Sequence, residues 1–107
     1  MPDRPTLRHV RITALELNGR PVEFASAELV EIQYWRGEEA AQRDWEIAGR
    51  AHVDDFHQGV QPVVLTADGR RFKGRVVLSS SSSFGLTKFE ASGLGELVEV
   101  AAPSDAG

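Results

Sequence analysis

Apolar and polar residues alternate along most of this chain in short segments, a pattern typical of β-strands with one buried face. The alternation is clearest in the segment Glu28 to Trp35, where Val30, Ile32 and Tyr34 share one face. Trp35 points the other way, so only one of the two aromatic residues can lie in the core of a two-sided sheet. We expect Trp35 to be the exposed one, or else to be covered by the loop that follows it.

The first predicted strand, Arg8 to Leu17, changes phase near Thr13. Val10 and Ile12 alternate before this point, and Leu15 continues in the opposite phase after it. One extra residue in a strand produces such a slip, because it turns all later side chains to the other face. The pattern therefore predicts a β-bulge near Thr13.

Two dipeptides, Asn18-Gly19 and Asp68-Gly69, are typical of two-residue hairpin turns, since both residue types tolerate the positive φ angles of a type I′ turn. The stretch Gly37 to Gln42 has helix-forming composition but is shorter than two turns, so it is predicted to be a loop or a single turn. The glycines in Gly93 to Gly95 predict a bend or bulge. About seven short, mainly antiparallel strands without a crossover helix predict an all-β domain, either a small barrel or a sandwich.

The hairpin around Asp68-Gly69 carries four cations: Arg70, Arg71, Lys73 and Arg75. Its predicted register places Leu65 opposite Phe72 and Val63 opposite Gly74, which turns the cations at 71, 73 and 75 outward. These cations are candidates for contact with the acidic face of a neighbouring subunit. Binding of a phosphate backbone, or simple solvation of an exposed strand, are the alternatives.

Composition narrows the class of protein. The 107 residues are enough for one domain, with 1–7 and 101–107 expected to be flexible tails. There is no cysteine, which excludes disulfides and thiolate chemistry, and the net charge of −4 argues against nucleic acid as a partner. The chain has neither a long apolar run nor an apolar leader, so we expect a cytoplasmic protein that does not enter a membrane. No cofactor is expected.

Two groups of residues could carry chemistry. His52, Asp54 and His57 are of the types that bind metal ions, although Asp54 also suits an ordinary turn and the spacing matches no established motif. The run Ser79 to Ser83 has hydroxyl groups but lacks the surroundings of a nucleophile elbow, so a solvated strand end or loop is the simpler interpretation. A metal-dependent enzyme is therefore only the third interpretation of the chain.

Aromatic residues offer another candidate site. Tyr34, Trp35 and Trp45 could form an exposed platform on which a sugar or a peptide stacks. A small ligand-binding module that uses these side chains is the second interpretation.

The last third of the chain resembles a known family. Phe72-Lys73-Gly74, the following serine-rich strand and the segment Phe89 to Leu97 resemble the C-terminal hairpins of phage tail-tube and related tail proteins. The resemblance implies a small β-barrel or sandwich that joins its neighbours into rings and stacked tubes, and it brings no catalytic residues. Our first interpretation is thus a non-enzymatic structural or protein-interaction domain that self-associates or binds an assembly partner, in the cytoplasm or in a virion-like particle.

Overall fold

A computed structural model of the chain describes residues 4–52, 56, 58–83 and 85–100. Within these ranges the chain forms strands and turns without any helix, and hence without a membrane-spanning helix. The seven strands are β1 (Thr6–Leu17), β2 (Arg20–Pro21), β3 (Phe24–Arg36), β4 (Glu39–Ala51), β5 (Gly59–Ala67), β6 (Arg70–Ser83) and β7 (Leu86–Val100). The predicted all-β class and the number of strands are confirmed.

The strands close into an antiparallel barrel. Six of them follow one another in the order β1-β3-β4-β7-β6-β5, and β5 pairs back onto β1, while the short β2 lies outside against the end of β1. Of the two predicted architectures, the barrel is therefore the one found. In this order β3 and β6 are three strands apart in either direction, which places them on opposite sides of the barrel.

The core is built from the inward positions of all six barrel strands. It includes Phe89 of β7 and Trp45 of β4, which are 0% and 6% exposed. Its other buried members are Ile12, Leu15, Leu17, Ala27, Leu29, Ile47, Ala51, Val63, Leu65, Ala67, Val76, Leu78 and Ala91. Burial of these side chains is the main term that stabilises the barrel.

The predicted bulge in β1 is confirmed. The register with β5 shifts between Ile12 and Ala14, so Ile12 and Leu15 both point into the core although three residues separate them. The same place marks a change of partner, because β1 pairs with β3 up to Arg11 and with β5 from Ile12 onward. The bulge thus forms a corner of the barrel.

Both predicted hairpin turns are present. Asn18 and Asp68 have φ angles of 54°, and the glycine after each also has a positive φ. The second hairpin has the predicted register, with Leu65 opposite Phe72 and Val63 opposite Gly74.

Two predictions about the N-terminal half are wrong. The stretch Gly37 to Gln42 is not a loop, because only Gly37 and Glu38 form the turn and β4 begins at Glu39. Pairing with β3 overrides the weak strand preference of its alanines and glutamates. Consequently no loop covers Trp35. The N-terminal tail, expected to include residues 1–7, is also shorter, because Thr6 and Leu7 belong to β1. The expected C-terminal tail, residues 101–107, lies outside the described ranges.

The face of β3 that enters the core is the opposite of the expected one. Leu29 packs in the core, so the alternate residues Val30, Ile32 and Tyr34 point outward from the barrel, although Val30 is buried on that side. Trp35 points toward the inner side at the end of the barrel and is half-buried. The alternation itself was predicted correctly, but the face assigned to the core was wrong.

Candidate interaction surface

The cations of the second hairpin divide between two locations. Arg71, Lys73 and Arg75 point outward on β6, as predicted. Arg70 does not join them, because it has the same phase as the inward-facing Phe72 and projects at the end of the barrel. The structure thus brings three of the four predicted cations onto one surface.

Carboxylates reach two of these four cations. Arg71 Nη2 lies 3.7 Å from Glu16 Oε2, and Arg70 Nη1 lies 3.8 Å from Glu99 Oε1. Such exposed and rather long ion pairs contribute only about 0–1 kcal/mol each. Among the residues that the structure describes, no ion pair involves Lys73 or Arg75.

Exposed apolar side chains surround Lys73 and Arg75. Lys73 is opposite Val98 on β7, and Arg75 is opposite Leu94, while Val77 of β6 is opposite Val60 of β5. The exposed fractions are 51% for Val60, 47% for Val98 and 40% for both Val77 and Leu94. We call this surface the hairpin face; its residues are Val60, Lys73, Arg75, Val77, Leu94 and Val98.

A wide bulge in β7 gives the hairpin face its shape. Lys73 is opposite Val98 and Arg75 is opposite Leu94, so three residues of β7 face the single residue Gly74 of β6. Gly95 lies inside this bulge with a φ of 75°, a conformation that suits glycine. The bulge predicted from the glycines is therefore confirmed, although it lies within the continuous strand β7 and not between two strands, and it leaves Leu94 and Val98 exposed beside the two cations.

Trp45 fills the space beneath this bulge. Its Nε1 donates a hydrogen bond to the carbonyl oxygen of Gly95 at 2.9 Å. Its indole ring lies so close to Gly93 and Gly74 that a Cβ atom at either position would meet the ring. The bulge and the buried tryptophan therefore depend on each other.

The barrel wall is open between β4 and β7. β4 pairs with β7 only from Glu46 to Ala51, and its earlier residues pair with β3 alone among the described strands. On the other side of the gap, β7 pairs only with β6 from Gly93 onward. These two strand edges thus lack a ladder partner among the described strands, although Gly95 O on β7 accepts a hydrogen bond from Trp45, and such edges can pair with another chain.

A second surface with exposed apolar side chains lies on β1, β3 and β4, and sequence reasoning missed it. Leu7 of β1 is 53% exposed and lies opposite Ile32 of β3, next to Tyr34, which is 38% exposed. On the adjacent strand β4, Asp44 is opposite Ile32 and Glu46 is opposite Val30. We call this surface the arm face; its residues are Leu7, Ile32, Tyr34, Asp44 and Glu46, while Val30 beneath it is buried.

The three aromatic residues predicted as a ligand platform do not come together on one surface. Trp45 belongs to the core and leaves no ring face exposed, so its proposed role in stacking is corrected. Trp35 is half-buried, and its Nε1 donates a hydrogen bond to Thr6 Oγ1 at 2.8 Å. Only Tyr34 lies on the outer surface.

The structure describes only one of the three candidate metal-binding residues. His52 is exposed after the end of β4, whereas Asp54 and His57 lie outside the described residues. In the described part of the chain, no three side chains of His, Asp or Glu gather into a metal site. His9, on the outer surface, forms a hydrogen bond with Glu28.

The serine run forms the end of β6. Ser79 to Ser83 pair with β7, which confirms a strand end and not a loop. Gln58 Nε2 donates a hydrogen bond to Ser80 Oγ at 2.8 Å, and Lys88 and Glu90 line the shallow depression beside the serines. Among the described residues that line this depression there is no histidine to serve as the general base of a serine nucleophile.

Comparison with known proteins does not extend these observations: no protein-family model, curated protein or solved structure matches the chain.

Proposed function

We propose that the chain is a non-enzymatic structural subunit, a small β-barrel whose outer surface binds protein within a larger assembly. The observation that carries this proposal is the hairpin face. There, exposed apolar side chains surround Lys73 and Arg75, and no described carboxylate pairs with either cation. Exposed apolar groups within a polar surround are typical of protein-contact sites.

The open strand edges support the same function. A neighbouring chain could add hydrogen bonds along β4 before Glu46 or along β7 after Gly93, in addition to contacts with side chains. A barrel with both features can bind neighbouring subunits on more than one side. This is what a subunit of a repeating assembly requires.

An assembly of the phage-tail kind is the particular form that we propose. The residues that resemble tail-tube proteins lie on β6 and β7, and these two strands carry Lys73, Arg75, Val77, Leu94 and Val98 of the hairpin face. Self-association is the first kind of contact to expect. The proposal needs neither a cofactor nor nucleic acid, and it places the protein in the cytoplasm or in a virion-like particle.

Native mass spectrometry of the purified wild-type chain tests this function. We expect oligomers of defined copy number that grow in abundance as the protein concentration rises. The variant Lys73→Glu with Arg75→Glu should reduce them, because it places acidic groups where the partner meets cations. A chain that remains monomeric at high concentration contradicts the proposed self-assembly.

A further inference from the structure

Resting on the proposed function, we propose that the hairpin face of one copy binds the arm face of a second copy in a head-to-tail contact. The arm face carries acidic residues where the hairpin face carries basic ones. Asp44 and Glu46 are alternate residues of β4, as Lys73 and Arg75 are of β6. Each pair is therefore spaced by roughly 6.6 Å along its strand, two residues at about 3.3 Å each.

The apolar neighbours of these charges match as well. On the hairpin face, Val98 and Leu94 lie on the strand beside the two cations. On the arm face, Ile32 and Tyr34 lie on β3, the strand beside the two carboxylates of β4. Each face thus has one charged strand next to one apolar strand, so stacking the faces brings opposite charges together and apolar side chains together.

Contacts between two identical faces are disfavoured by the same charges. A twofold contact through the hairpin face would bring Lys73 and Arg75 of one copy toward the same cations of the other. A twofold contact through the arm face would do the same with Asp44 and Glu46. The charge pattern therefore favours hairpin face against arm face over either symmetrical pair.

The positions of the faces decide what such a contact builds. The basic pair lies on β6 and the acidic pair on β4, and β7 separates these two strands in the barrel, so the two faces are different surfaces. A contact between two different faces leaves one free face at each end of a pair, so further copies can add. The product is a ring if the rotation between copies closes, and a filament if it does not.

Two charge-reversed variants test this contact. One carries Lys73→Glu and Arg75→Glu on the hairpin face, and the other carries Asp44→Lys and Glu46→Lys on the arm face. In each variant alone, the two faces have the same sign of charge, and we expect self-association to weaken by about tenfold or more. In an equimolar mixture, the acidic faces of one variant can bind the basic faces of the other, so assembly should return toward the wild-type level. Light scattering after size-exclusion chromatography measures the mass of the assemblies.

A matched control separates the contact from net charge. Arg20→Glu with Arg70→Glu makes the same change in net charge as the hairpin variant, but Arg20 lies on β2 outside the barrel ring and Arg70 projects at the end of the barrel, so this control should assemble as the wild type does. Circular dichroism and thermal melting establish that every variant is folded. A second check is the single chain that carries all four face substitutions, which should assemble with itself because its two faces are again opposite in charge.

The outcomes distinguish this inference from the proposed function. If the wild type assembles but either variant alone does so equally well, or if the mixture stays monomeric, the head-to-tail contact is refuted while assembly itself stands. If the hairpin variant weakens assembly and the arm variant does not, the arm face is not the partner surface, and the inference is refuted. A monomeric wild type refutes both.

Discussion

Gly93→Ala should destabilise the barrel by pushing Trp45 away from the bulge of β7. A Cβ atom at Gly93 would lie 2.6 Å from Nε1 of Trp45 and still nearer to its Cδ2 and Cε2 atoms. No atom in a folded core tolerates such contacts, so the indole ring must shift. Because the ring is buried between β4 and β7, it has little room to do so.

The size of this effect can be worked from two contributions. Forcing an extra methyl group into a packed core costs about 1–3 kcal/mol. The shift of the ring also strains or breaks the hydrogen bond from Trp45 Nε1 to the carbonyl oxygen of Gly95, a bond worth about 1 kcal/mol. The sum is about 2–4 kcal/mol, out of the roughly 5–15 kcal/mol that stabilises a typical domain. At roughly 4–8 °C per kcal/mol, Tm should fall by roughly 8–32 °C.

Urea unfolding followed by circular dichroism measures this change, and a double-mutant cycle with Trp45→Leu assigns its cause. Without the indole ring, Gly93→Ala should be neutral or slightly stabilising, because alanine lowers the entropy of the unfolded chain. Ser92→Ala, on the exposed neighbouring residue, is the control and should change the free energy of unfolding by less than about 0.5 kcal/mol. If Gly93→Ala leaves the wild type unchanged, or costs the same with and without Trp45, the packing described here is wrong.

Three further predictions concern the core and the turns. Gly49→Ala should destabilise the barrel by about 1–3 kcal/mol in urea unfolding, because its Cβ atom would lie 2.5 Å from Cζ of the fully buried Phe89; a neutral result would contradict that contact. Gly69→Ala should cost about 1–2 kcal/mol in the same assay, because φ is 71° at this turn position, whereas an unchanged midpoint would argue against the type I′ turn. Two single-tryptophan variants should differ in the quenching of their fluorescence by acrylamide. The variant Trp35→Phe, which retains the buried Trp45, should be quenched less than Trp45→Phe, which retains the half-buried Trp35; equal quenching would refute the burial of Trp45.

The hairpin around Asp68-Gly69 could be predicted from the sequence pair by pair, because the turn type and the alternation on both strands agree on one register. The bulge near Thr13 was predictable for a similar reason, since Ile12 and Leu15 must both reach the core. These features depend on neighbouring residues alone.

The features that were predicted wrongly or missed depend on residues that are distant in the sequence. An alternating strand has two faces, and its sequence alone cannot assign one of them to the core when both carry large apolar or aromatic groups, as β3 does with Tyr34 and Trp35. Nothing in the sequence around Trp45 indicates that Gly74 and Gly93 leave space for its indole ring. Only part of the hairpin face could be predicted. The cations are evident in the sequence of one hairpin, whereas their apolar neighbours on β5 and β7 can be identified only when the pairing of the strands is known.

Sedimentation velocity of the wild-type chain over a concentration series, from micromolar to submillimolar, tests the central claim most directly. If the barrel is an assembly subunit, the weight-average sedimentation coefficient should rise with concentration and fall again at high salt, which screens the cations of the hairpin face. A single species with the mass of one 11.7 kDa chain at every concentration would contradict the claim.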